Sequence, residues 1–109
     1  VACGTAAYAG MVAKYAIEHW TRIPCEVELA HEFRYRDPVV DGNTLVVSVS
    51  QSGETMDTLM AVKHARELGA LTVSICNTHG STIRLAPPLV ATEADIHMLV
   101  GVIADSLNA

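Results

Sequence analysis

The sequence has no long uninterrupted hydrophobic run, although half of its 109 residues are hydrophobic. Its apolar stretches are broken by polar or charged residues well short of the ~18 that a membrane-spanning helix needs. No basic segment precedes a short apolar one at the start of the chain, as it would in a secretory signal peptide. We therefore expect one globular domain in the cytoplasm, with no membrane partner.

Basic residues are scarce. Lys and Arg together number 7 against 12 Asp and Glu, which gives a formal net charge of −5. Proteins that bind nucleic acid need a basic face, so we expect no nucleic-acid partner. A phosphorylated metabolite is not excluded, because backbone dipoles at the start of a helix can hold a small anion without a net positive charge.

Cysteine is also rare, and Cys3, Cys25 and Cys76 are widely spaced in apolar surroundings. No C-x-x-C pair is present and no histidine spacing completes a zinc site. We interpret the three cysteines as buried, reduced thiols, with a reactive thiol as the alternative. The sequence predicts neither a metal nor a cofactor.

One segment of the chain carries a strong functional signal. Residues 45–58 read Leu-Val-Val-Ser-Val-Ser-Gln-Ser-Gly-Glu-Thr-Met-Asp-Thr, a β-branched run followed by a hydroxyl-rich turn and then a helical pattern. The first N–H groups of a helix have no internal partners, and the helix dipole is positive at that end. Hydroxyl and amide side chains add hydrogen bonds without adding charge. The segment therefore predicts a site for a phosphate group, although simple helix capping also favours Ser and Thr at such positions.

Periodicity along the chain predicts an α/β fold. The predicted elements are a helix over 8–20, a strand over 25–29, a helical turn over 32–35, a strand over 45–50, a helix over 55–68 and a strand over 71–76. This order favours three layers, with a mostly parallel sheet flanked by helices. Right-handed crossovers then place the loops over 4–5, 50–55 and 77–81 along one edge of the sheet, where ligands bind in such folds.

The last part of the chain, residues 84–109, follows a different pattern. Pro87 and Pro88 interrupt regular structure, and Thr92-x-x-Asp95 resembles a capping arrangement at the start of a new helix. The apolar residues of this helix share one face: Ile96, Leu99, Val100, Ile103 and Leu107. We expect that face to pack against the sheet or against a partner.

Several motifs resemble one family. Cys3-Gly4-Thr5, Glu32-Phe33-Arg34-Tyr35-Arg36, the segment from Ser50 to Thr58 and Ile75-Cys76-Asn77 closely resemble the first sugar-isomerase (SIS) domain of glutamine–fructose-6-phosphate aminotransferases. The resemblance covers residues 1–83 and implies a flavodoxin-like SIS fold, partial and cut near its first strand. Residues 84–109 depart from the family and form a second, divergent segment.

The resemblance implies a sugar phosphate as ligand, either fructose 6-phosphate or glucosamine 6-phosphate, in amino-sugar biosynthesis. The residues it assigns to the phosphate and sugar are Thr5, Ser50, Gln51, Ser52, Gly53 and Thr55. It implies no catalytic residue in this chain, because the family's acid–base groups lie in segments that have no counterpart after Ile83. The chain alone is therefore expected to be inactive, and the parent enzyme is expected to form a homodimer through its SIS domains.

Other interpretations stay open. The chain could be a non-catalytic SIS sensor of sugar phosphates, or a degraded remnant. Glu32 and Arg34 could form a structural or interface pair, and the helix face from Met11 to Tyr15 could belong to the core or to a dimer contact.

Overall fold

A small mixed sheet organises the molecule. The computed structural model describes residues 1–52, 55–79, 82–87 and 90–108. Strand β1, Leu45–Ser50, pairs in parallel with β2, Leu71–His79, from Leu45 opposite Leu71 to Ser50 opposite Cys76. Strand β3, Thr82–Ala86, pairs with β2 in the antiparallel direction, so the order is β1-β2-β3.

The helices in the described residues are α1 (Thr5–Thr21), α2 (Ala30–Tyr35), α3 (Met56–Glu67) and α4 (Glu93–Leu107). Helix α3 contacts α2, β1 and β2, and α1 contacts β1. Gly69, just beyond the end of α3, has a φ of 92°, the left-handed geometry that glycine adopts at helix ends. The α/β fold class predicted from the sequence is confirmed.

The core lies between α2, α3 and one face of β1. Phe33 of α2 is 4% exposed and packs with Val46 of β1 and with two alanines of α3, Ala61 and Ala65. Small side chains spaced one helical turn apart let α3 approach the sheet closely. Since Phe33 is the one bulky aromatic group in this cluster, it fixes the position of α2 against α3.

Two details of the predicted sheet were wrong. The segment over 25–29 is not a regular strand, because its pairing is limited to a single bridge from Leu29 to Ala2. The Ala2 N–H donates to the Glu28 carbonyl at 3.3 Å, and the Ala30 N–H donates to the Ala2 carbonyl at 2.8 Å. The antiparallel strand β3 was not predicted, and residue 83, the proposed end of the SIS-like part, lies inside it.

The outward face of α1 is apolar and exposed. Tyr8, Met11, Val12 and Tyr15 lie on this face, and Tyr15 is 75% exposed. The interpretation of the Met11–Tyr15 face as core is therefore wrong for this chain. A dimer contact stays a prediction.

Helix α4 begins with a complete capping box. The Asp95 N–H donates to the Thr92 hydroxyl at 3.2 Å, and the Thr92 N–H donates to the Asp95 carboxylate at 2.9 Å. Within the described residues α4 packs against no other helix or strand, so its predicted packing on the sheet is wrong and packing on a partner stays a prediction.

The capping box should make the start of α4 sensitive to acid. Hydrogen bonds from the backbone N–H and then the hydroxyl of Thr92 hold the pKa of the Asp95 carboxyl below its ordinary value of 3.8. A carboxyl with a lowered folded-state pKa stabilises the folded form fully above pH 3.8, and this contribution is lost as the pH falls through the lower folded-state value. We expect helical carbon chemical shifts over residues 93–97 to move toward coil values in that range. Asp95→Asn cannot ionise and should flatten the profile; the same acid transition in that variant would contradict this interpretation.

The cysteines differ in exposure. Cys76 is buried as predicted, whereas Cys3 and Cys25 are partly exposed, and all three are free thiols. Across the ranges that the structure describes, we find no helix with the length and apolar character needed to cross a bilayer.

Candidate functional site

The first residues of the chain lie beside the end of β1. Ala2 forms a parallel bridge with Val49, and the Val49 N–H donates to the Val1 carbonyl at 3.0 Å. Parallel alignment means that both segments run toward the same edge of the sheet. The turn after Ala2 is thereby placed next to the turn after Ser50.

A cavity of about 290 Å³ lies between these two turns. It is lined by Cys3, Gly4, Thr5, Ala6, Val49, Ser50, Gln51, Ser52, Thr55 and Thr58. The cavity is therefore located at the carboxyl ends of parallel strands, the position where open α/β sheets bind their ligands.

Two helices begin at this cavity. Helix α1 starts at Thr5 after the N-cap Gly4, and α3 starts at Met56 after the N-cap Thr55. Among the described residues neither N-cap makes a side-chain capping bond, in contrast to the complete box at α4. The positive ends of both helices therefore lie at one cavity, which suits an anion.

The hydroxyl groups of the cavity hold its two sides together. Ser50 Oγ and Thr55 Oγ1 share a hydrogen bond at 3.1 Å, which links the end of β1 to the start of α3. The Thr58 hydroxyl donates to the Cys3 sulfur at 3.9 Å, a weak contact between α3 and the first turn. The simple capping interpretation requires the Thr55 hydroxyl to accept a hydrogen bond from its own helix. No such bond is formed within the described part of the chain, and the hydroxyl bonds to Ser50 instead.

Gly4 adopts a backbone conformation that few other residues tolerate. Its φ is 58° and its ψ is −137°, and a Cβ atom added there would meet nothing within 4 Å. The need for glycine is therefore conformational rather than steric. This geometry turns the chain sharply from Cys3 into α1, so that the start of the helix lies at the cavity.

No charged side chain lines the cavity in the described part of the chain. Asp57, in the first turn of α3, has its carboxylate 3.5 Å from the guanidinium of Arg34 of α2. Arg34 therefore pairs with Asp57 rather than with Glu32, the partner that the sequence suggested.

The structure brings together Thr5, Ser50, Gln51, Ser52 and Thr55. Gly53 lies outside the described residues, and the binding role of the whole set stays a prediction. The expected third loop is wrong over 77–79, since Asn77–His79 belong to β2. Gly80 and Ser81 lie outside the described residues.

Sequence reasoning missed Thr58. Its side chain is buried and lines the cavity one helical turn after Thr55. Helical spacing alone could have found it, because residues three apart share a helix face. In the described ranges no three His, Cys, Asp or Glu side chains are grouped as a metal site would require.

The fold and the cavity define an α/β domain with a candidate anion site at the carboxyl edge of its parallel strands. The sequence model of the SIS domain matches residues 1–104. The chain belongs to the SIS domain family.

Similar proteins agree with this assignment. Over 83 residues the chain is 80% identical to a glutamine–fructose-6-phosphate aminotransferase (isomerizing) of Corynebacterium efficiens, covering 76% of this chain and 13% of that protein. It is 77% identical over 83 residues to the Streptomyces coelicolor protein of the same name, covering 76% of this chain and 14% of that protein. The chain thus spans only about one seventh of the length of these relatives.

A solved structure is also similar. It is the C-terminal domain of glucosamine-fructose-6-phosphate aminotransferase from Francisella tularensis, with a TM-score of 0.67 and 49% sequence identity. The alignment covers 73% of this chain and 23% of that one. The chain is therefore homologous to a segment of the isomerase part of these enzymes.

Proposed function

We propose that the chain binds the phosphate group of fructose 6-phosphate or glucosamine 6-phosphate in the cavity between the Cys3–Thr5 turn and the Ser50–Thr55 turn. The observation that carries the proposal is the convergence of two helix starts, α1 and α3, on one hydroxyl-lined cavity. Backbone N–H groups at the two helix starts would donate to the phosphate oxygens, and the side chains of Thr5, Gln51 and Ser52 would add neutral donors.

The chemistry of this cavity is recognition rather than proton transfer. In the described residues its lining contains no carboxylate and no imidazole, the groups most often used as general acids and bases. Its contribution to a parent aminotransferase would be to hold the sugar phosphate in position for catalytic groups on other segments. We therefore propose that the chain forms the phosphate-binding part of the isomerase half and does not catalyse by itself.

A partner and a location can be proposed as well. The exposed apolar face of α1 suits a contact with a second copy of the SIS domain, because burial of Tyr8, Val12 and Tyr15 would remove a large apolar area from water. Three free cysteines suit a reducing compartment, so we propose that the protein acts in the cytoplasm.

A thermal titration tests the proposal. A ligand that binds only the folded state at about ten times its Kd adds about 1.4 kcal/mol, which should raise the Tm of a domain of this size by about 5 °C. We expect this rise with fructose 6-phosphate. Fructose, which lacks the phosphate, should give no rise at the same concentration. A broad unfolding transition that neither compound moves would contradict the proposal and favour a degraded remnant.

A further inference from the structure

We propose that the ion pair between Arg34 and Asp57 sets the affinity of the cavity for phosphate by neutralising a carboxylate beside the two helix starts. The inference rests on the proposed function and adds a regulating charge to it. Neither residue lines the cavity. The effect would therefore be electrostatic rather than a contact with the ligand.

Asp57 occupies the second position of α3 after its N-cap, Thr55. Two residues advance ~3 Å along a helix axis, so its carboxylate lies within ~10 Å of an anion bound at the helix start. The Asp57 side chain is 45% exposed, and its carboxylate lies 3.5 Å from the guanidinium of Arg34, whose side chain is 28% exposed. An unpaired carboxylate at this place would repel a phosphate dianion.

The fold holds Arg34 in this position. Phe33, the preceding residue, is buried against α3 and the sheet, which fixes α2 beside the first turn of α3. The guanidinium also lies 4.9 Å from the centre of the Tyr35 ring, a favourable cation–π distance. The Glu32–Arg36 segment contributes no residue to the cavity lining. Through the ion pair of Arg34 with Asp57, this segment would nevertheless affect the affinity of the cavity for phosphate.

Lys63 offers a matched control on the same helix. It is eight residues beyond Thr55, so it lies ~12 Å along the axis from the helix start. Its ammonium group is 3.9 Å from the Glu67 carboxylate, and both groups are solvent-exposed. Lys63→Met removes one positive charge, as Arg34→Met does, but the carboxylate that it leaves unpaired is ~18 Å from the helix start.

Calorimetric titration of the full chain with fructose 6-phosphate tests the inference. At 0.01 M ionic strength, where the Debye length is ~30 Å, we expect Arg34→Met to weaken binding about fourfold. Asp57→Asn leaves Arg34 unpaired and should tighten binding by a similar factor. The double variant should return close to the parent Kd, and Lys63→Met should weaken binding by no more than about twofold, because its charge lies farther from the helix start.

Salt separates the electrostatic role from a structural one. In 1 M salt, where the Debye length is ~3 Å, the differences among the variants should disappear. A loss of affinity in Arg34→Met that Asp57→Asn does not restore, or that persists in 1 M salt, would overturn the inference, as would equal affinities of all variants at low salt. Failure of Arg34→Met to fold leaves Asp57→Asn as the deciding variant, and unchanged binding there overturns the inference. No binding by the parent chain would overturn the proposed function and the inference with it.

Discussion

Ser52→Asp should weaken the binding of fructose 6-phosphate by at least about 30-fold. Ser52 is an exposed residue of the cavity lining, so the substitution adds a carboxylate where the proposal places the phosphate. Two negative charges on the ligand at ~4 Å from a third cost about 2 kcal/mol even at the dielectric constant of water, which corresponds to about 30-fold in Kd. Calorimetry on parent and variant measures the ratio directly.

Asn43→Asp is the matched control for this variant. Asn43 is exposed in the turn before β1, at the opposite end of the strand and about 20 Å from the cavity. Asn43→Asp adds the same charge as Ser52→Asp. We expect its Kd for fructose 6-phosphate to stay within twofold of the parent value, because exposed charges at this separation are largely screened at ~0.15 M salt. Equal affinities of Ser52→Asp and the parent would show that phosphate does not bind at this turn.

Phe33→Ala should destabilise the fold strongly, because it removes the one bulky aromatic side chain of the core cluster. Removing a buried phenylalanine typically lowers the free energy of unfolding by about 3–5 kcal/mol, a large part of the 5–15 kcal/mol that holds a domain together. The surrounding alanines, Ala30, Ala61, Ala65 and Ala70, have no side-chain freedom with which to fill the space. Urea unfolding followed by circular dichroism should show a much lower midpoint.

Tyr35→Ala controls for the loss of an aromatic residue from the same helix. Tyr35 is 76% exposed and contacts the Arg34 guanidinium rather than the core, so we expect a loss below about 1 kcal/mol. Equal midpoints for the two variants would contradict the position of Phe33 in the core.

The sequence predicted the elements whose signals are local. The β-branched run over Leu45–Ser50 matches β1 residue for residue, because β-branched side chains favour a strand. The predicted helix over 55–68 contains α3, Met56–Glu67, which starts after Thr55 and is followed by the left-handed Gly69. The predicted turn over 32–35 lies inside α2.

The features that the sequence did not reveal depend on partners far along the chain. Period-two alternation over 25–29 indicated a strand, but the neighbouring segment at Ala2 offers only one bridge. Strand β3 depends on its antiparallel pairing with β2, from Ser74 opposite Ala86 to His79 opposite Thr82, which the composition near the prolines conceals. The amphipathic pattern of α4 could not show that no helix or strand of the described chain covers it.

The candidate site likewise contains residues that a local motif places together and residues that meet only through contacts between distant parts of the chain. A single continuous motif contains the four predicted residues Ser50, Gln51, Ser52 and Thr55 that line the cavity with Thr5, so the strand-to-helix turn alone places these four together. Thr5 joins them only because Ala2 aligns in parallel with Val49. The weak contact between Thr58 and Cys3 depends on that alignment as well, since the two residues lie far apart in the sequence.

The most direct test of a non-catalytic phosphate site is a nitrogen-15 NMR titration of the chain with fructose 6-phosphate. The proposal predicts saturable amide shifts at the start of α1, at Thr5 and Ala6, and around the start of α3, from Ser50 to Thr58. It also predicts that the sugar phosphate remains chemically unchanged in the same tube. Shifts confined to other parts of the chain, no shifts at all, or isomerisation of the sugar would contradict it.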